Sequence, residues 1–205
     1  YKKSSYDFGM SAHYRDIFTQ NLHTHFSSET AVNLFASTQF SQLLSLNTYY
    51  VFANRNFYDE YSQTKSINNQ DAYAHTLSLS PIFTKGQFST SFELGTEWNQ
   101  SEGENYQFLS FFSNPEARLG VSHRFSLFAN IQLSYKHYYH YVSDEQIDTR
   151  KDVFFGMHLW LDYQLNEYTR IATSYTLQDN RDLKESESPY AYQRHLESIS
   201  IEYRY

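Results

Sequence analysis

Nine histidines, 23 acidic residues and 16 basic residues are the side chains that could do chemistry in this chain, and there is no cysteine. The missing thiols remove disulfides, cysteine metal sites and thiol nucleophiles together. The closest histidine pair is His23-Thr24-His25. On a strand, positions i and i+2 share a face, so this pair could offer two ligands to a metal. No third ligand follows nearby, and the pair reads as part of an exposed polar loop. His195-Leu196-Glu197-Ser198 and His123-Arg124-Phe125-Ser126 each place a serine three residues after a histidine. On a strand those positions face opposite sides, so neither pair sets a nucleophile beside its base. The remaining histidines, His13, His75, His137, His140 and His158, are scattered. The spacing assigns no catalytic residue, no cofactor site and no metal site. A triad can still assemble from distant strands, which keeps a hydrolase as the alternative reading.

The elements available to position these groups are strands. Apolar and polar residues alternate with period two through most of the sequence, and helical periodicity is hard to find. Ten segments follow this pattern. They are Tyr6–Tyr14, Val32–Phe40, about 44–58, about 73–83, Phe88–Trp98, a sixth running from near Tyr106 through Val121, Leu127–Tyr135, Val153–Tyr163, Ile171–Leu177 and the tail Ile199–Tyr205. The third has two faces that are hard to distinguish. Asn114-Pro115 could mark a bulge or a break in the sixth, so eight or twelve strands stand as alternatives to ten. Short links at 41–42, 84–86, 122–124 and 165–167 alternate with long polar links at 20–29, 60–71, 99–105, 143–152 and 178–189.

Composition narrows the fold class. The 205 residues include 20 Tyr and 17 Phe, yet mean hydropathy is only −0.68. A water-soluble globule this aromatic would carry more Leu, Ile and Val in its core. A membrane barrel needs only every second residue apolar and gathers aromatics at its two interfaces. Net charge is −7 and the basic residues are scattered, so no nucleic-acid surface is read. No run of 18 apolar residues offers a transmembrane helix. No leader-like segment opens the sequence, as expected of a mature or trimmed exported chain. The expected fold is all-β: a single domain, 1–205, forming a transmembrane antiparallel up-and-down β-barrel of ten strands. Short turns and both termini would be periplasmic.

The apolar face would then meet lipid and the other face would line the lumen. Glu93, Glu97, Arg118, Lys136, His158, Asp162, Arg170, Glu202 and Arg204 fall on that inner face. Charges held away from water need partners, so an acid–base network is expected, with Glu93 and Glu97 near Arg118 or Lys136. The network would plug the lumen. Tyr138, Tyr139, His140 and Tyr141 read as an interfacial aromatic belt.

The tail alternates Ile199, Ile201, Tyr203 and Tyr205 with Ser200, Glu202 and Arg204. It resembles the carboxy-terminal assembly signal of bacterial outer-membrane barrel proteins. That resemblance implies recognition by the barrel-assembly machinery and closure of the last strand on the first. Further likeness lies in Asp148-Thr-Arg-Lys-Asp152, Met157 to Leu165, Tyr175 to Asn180 and Tyr190-Ala-Tyr192. These stretches look like the closing strands of surface-lipoprotein assembly modulators and of exopolysaccharide-export porins. Those families build larger barrels, so the chain would be a smaller relative, a fragment, or similar through shared membrane physics. No functional residue is carried over. The implied setting is the bacterial outer membrane, with its lipid and lipopolysaccharide and other envelope proteins as partners. The function expected is a non-enzymatic component for export, transport or envelope assembly, working in a larger complex. The alternatives are a hydrolase acting on lipid, lipopolysaccharide or peptide, and a small diffusion pore.

Overall fold

A computed structural model describes residues 5–18, 25–58, 70–139, 141–143, 146–148, 150–183 and 191–203. The strands are β1 (Ser5–Phe18), β2 (His25–Gln39), β3 (Leu44–Phe57), β4 (Ala72–Lys85), β5 (Phe88–Ser101), β6 (Phe108–Ser122), β7 (Phe125–Tyr138), β8 (Tyr141–Ser143), β9 (Gln146–Asp148), β10 (Lys151–Gln164), β11 (Thr169–Asp182) and β12 (Tyr192–Tyr203). Ten of them form one antiparallel sheet in chain order, and β8 and β9 make a separate two-stranded ribbon between β7 and β10. The architecture is therefore all-β and up-and-down, as the alternation predicts. A fourteen-residue strand such as β4 is about 46 Å long.

The short links are tight turns with turn chemistry. Gly86 takes φ 60° between Lys85 and Phe88, the left-handed backbone that primed hairpin turns need. Ser41 Oγ accepts from the backbone of Leu43 and Leu44, both at 3.1 Å. Asn166 Oδ1 accepts from Tyr168 at 2.9 Å and Thr169 at 2.8 Å, an Asx turn. Ser5 pairs with Gln39 and Tyr203 with Thr169. The first and last strands therefore begin and end on the same side as these turns.

Two expectations shift. The sixth strand starts at Phe108 because Glu104–Tyr106 form a 3-10 turn. Asn114-Pro115 does not divide it: Pro115 keeps register with Phe92, and only the β6–β7 ladder skips the two residues. The missing proline N–H costs local pairing without ending the strand.

Closure of the last strand on the first is not present. Among the described residues β1 pairs with β2 and β12 with β11, which leaves two open edges. Every described residue of β12 is exposed. Arg204 and Tyr205, assigned to the inner face and to the assembly signal, lie outside the described residues.

The two faces differ in an unusual sense. Tyr6, Phe8 and Met10 of β1 share a face with Thr38, Ala36 and Leu34 of β2, and the register carries that apolar face across all ten strands. Phe8 and Ile199 are each 79% exposed there. Among the described residues the buried apolar ones are mostly alanine, led by Ala31, Ala53 and Ala74, and no large side chain is fully buried. All three alanines lie on the opposite, polar face.

Cross-strand pairs on the polar face also set its packing. Gly95 stands opposite Phe112, and a β carbon at Gly95 would collide with the Phe112 ring and the Leu77 carbonyl. The ring lies over the glycine, an aromatic rescue of a small residue. Gly95→Val should destabilise the fold by about 2–3 kcal/mol. Adding Phe112→Ala should recover part of that loss. Chemical unfolding followed by tryptophan fluorescence reads both.

Candidate functional site: charges on the polar face

The strand register brings eight of the nine expected inner-face residues onto one face: Glu93, Glu97, Arg118, Lys136, His158, Asp162, Arg170 and Glu202. They form two groups, one toward the long links and one toward the turns.

The group toward the long links is built around Arg55 on β3. Its Nε donates to Glu29 Oε2 at 2.8 Å and its Nη1 donates to Glu97 Oε1 at 2.9 Å. Arg15 on β1 reaches the other Glu29 oxygen at 3.1 Å. The reach from β3 to β5 passes over β4, where Ala72 and Ala74 are small and buried. A larger residue there would fill the path. In register, Glu97 is followed by Ser110 and then Lys136. Lys136 lies within electrostatic reach of Glu97, but its Nζ sits 4.7 Å from the Phe108 ring centroid. On β10, Asp152 is forked by Arg150, whose Nε donates at 2.9 Å. Arg150 also covers the Tyr138 ring at 4.7 Å, and both partners of that ion pair are buried.

The second group lies near the turns. Arg170 donates to both Asp162 oxygens, at 2.6 and 2.7 Å, and reaches Glu202 at 3.4 Å. His158 Nδ1 is 2.7 Å from Thr176 Oγ1 and its ring meets Phe128 and Trp160 edge-on. A hollow of about 330 Å³ opens beside Arg118, His158, Asp162 and Arg170.

Glu97 lies within electrostatic reach of Lys136, as expected, but neither glutamate is hydrogen-bonded to Arg118 or Lys136. Glu93 accepts from Asn114 at 2.9 Å, and the direct counter-ion of Glu97 is Arg55. Arg118 is exposed. Sequence reasoning missed Arg15, Glu29, Arg55, Arg150 and Asp152. Arg15 falls on the polar-face parity of β1, and the register opposite it identifies Glu29 and Arg55. Tyr138 also moves: it is buried on the polar face against Phe108, while Tyr139 is exposed and meets His137 edge-on. His140 and His23 lie outside the described residues, and only the backbone of His25 and Tyr141 is described.

The arrangement fixes charges against one another. Its forked arginine–carboxylate contacts are the geometry that guanidinium supplies and ammonium does not. His13, His75, His123, His137, His158 and His195 are spread over both faces and a turn. Among the described residues no cluster of three His, Cys, Asp or Glu could hold a metal.

Arg55→Met would leave Glu29 and Glu97 facing each other without their shared cation. With Arg55 about one-third exposed, a loss of about 1–3 kcal/mol is expected. Arg55→Lys should recover less than half, because a single ammonium cannot fork across β4. Chemical unfolding of the three proteins checks this. No protein-family model, no curated protein and no solved structure matches the chain, so function is argued from the geometry of its two faces.

Proposed function

We propose that this protein is an integral β-barrel of the bacterial outer membrane. In this reading it is a non-enzymatic component for export, transport or envelope assembly within a larger complex. The observation that carries the reading is the spacing of aromatics on the exposed apolar face. Tyr73 and Phe83 on β4, Phe88 and Trp98 on β5, and Phe125 and Tyr135 on β7 each stand ten residues apart on that face. Ten residues measure about 33 Å along a strand, or about 25 Å of height at a tilt of about 40°. That is the height of the apolar band of an outer-membrane barrel, with an aromatic girdle at each edge. Between the rows lie Leu77, Leu79, Leu94, Ile131 and Leu133, unburied on any protein surface.

Within this reading the open edges belong together. β1 and β12 are long strands with unpaired backbone groups, which hydrocarbon does not tolerate. Pairing of β1 with β12 closes the sheet in the membrane. Ser5 and Tyr203 then lie at the periplasmic end, and the long links are external. The tail's likeness to an assembly signal supports the same placement.

The paired charges become the lumen lining. Arg15, Glu29, Arg55 and Glu97 engage one another, Asp162 engages Arg170, and a ten-stranded barrel is narrow. The lumen is plugged by side chains, and a substrate passes only with a partner's help. The folded protein should run differently on a gel before and after boiling. Identical migration, with full solubility in the absence of detergent, would end the membrane reading. In planar bilayers the purified protein should show no porin-sized conductance steps, and such steps would refute the plug.

A further inference from the structure

One place on the outward face breaks the apolar band. On β12, Tyr203, Ile201 and Ile199 are followed by Glu197, His195 and Gln193 on the same face. Tyr203 stands in the turn-side aromatic row. Glu197 is six residues above it, near the middle of a band about ten residues tall. Other outward charges, such as Asp16, Lys85 and Lys151, sit at or beyond the aromatic rows, and Asp179, level with Leu133 just inside the row, is forked by Arg181. Among the described residues Glu197 is the carboxylate at mid-height, and it is exposed. Lipid is a poor solvent for that group, so ionisable residues at this depth face protein or water. Closure of β12 on β1 does not help, because it fills the edge and leaves this face outward.

We propose that a second copy of the chain covers this face, with Glu197 of each copy against His195 of the other. The proposal rests on the membrane reading above. Its basis is self-complementarity. A two-fold axis along the membrane normal gathers positions 195 and 197 of both copies around one line, so each Glu197 reaches diagonally to the other copy's His195. Glu197 and His195 are two residues apart on one face, about 7 Å along the strand. Tyr175 Oη lies 2.9 Å from His195 Nδ1. With the phenol donating there, the neutral ring carries its proton on Nε2 and presents it outward to a carboxylate. A protonated ring would strengthen the same contact. Beside Glu197 a hollow of about 930 Å³ is lined by Ala117, Ala129, Leu159, Leu161, Tyr175 and Ile199. It gives apolar side chains of the second copy a place to seat.

The natural chain has no cysteine, so a single introduced thiol is unambiguous. Ile199→Cys protein, which keeps Glu197 and His195 and lies on the same face, folded in detergent and treated with copper phenanthroline, should form a disulfide-linked dimer that remains heat-modifiable. Leu94→Cys, on the outward face of β5, should not. In sedimentation experiments the unsubstituted protein should be dimeric, and Glu197→Gln should weaken the dimer roughly fivefold. Folded, heat-modifiable protein that stays monomeric, or that cross-links equally at both positions, would overturn the contact. Loss of heat-modifiable migration in the unsubstituted protein would overturn the membrane reading and the contact with it.

Discussion

The side chains that most need burial in this protein have no protein surface to cover them. A strand sends alternate residues to opposite faces, and the large apolar residues take the face that nothing among the described residues packs against. Phe8, Met10, Ile199 and Ile201 are each more than two-thirds exposed. The residues removed from solvent are mostly alanines, serines and paired charges. A soluble sheet reverses this distribution, because burying apolar area is its main source of stability. The aromatic spacing on β4, β5 and β7 follows from the same constraint once lipid is the missing partner.

The polar face then has a different task. Where its groups leave bulk water they must satisfy one another, since an unpaired buried charge is costly while a paired one is tolerable. Small residues make this possible. Ala72 and Ala74 clear a path for Arg55 to reach Glu97, and Gly95 lets Phe112 lie flat. The contacts of Arg55 and Arg170 tie strands together where apolar packing cannot. Stability on this face comes from geometry shared by several strands, so one arginine can matter to three of them.

Much of this was legible in the sequence. Strand number, the alternation of short and long links and the two faces follow from period-two patterning and turn residues. Asp162, Arg170 and Glu202 were placed on one face and do meet. The failures have physical causes. Tyr49, Val51 and Ala53 are apolar or aromatic on the polar face of β3, so the alternation there is blurred and Arg55 was hidden. Without Arg55, the hydrogen-bonded counter-ion of Glu97 was missed, although Lys136 does lie within its electrostatic reach. Tyr138 was read by residue type as belt, but its parity on β7 turns it inward. Pairing across four or five strands depends on register, which no single strand states. The open edges were not foreseen either: the last strand was expected to close on the first, and the alternation of a strand does not specify its partner.

The central claim is that the exposed apolar face meets lipid between two interfaces about 25 Å apart. Spin labels at Thr90, Phe92, Leu94 and Thr96 of β5, introduced one at a time as cysteines into protein folded in bilayers, measure this directly. Collision with oxygen should peak near Phe92 and Leu94 and fall toward Phe88 and Trp98, while collision with a water-soluble nickel chelate does the opposite. Equal, high access of the nickel chelate to all four positions would contradict the account.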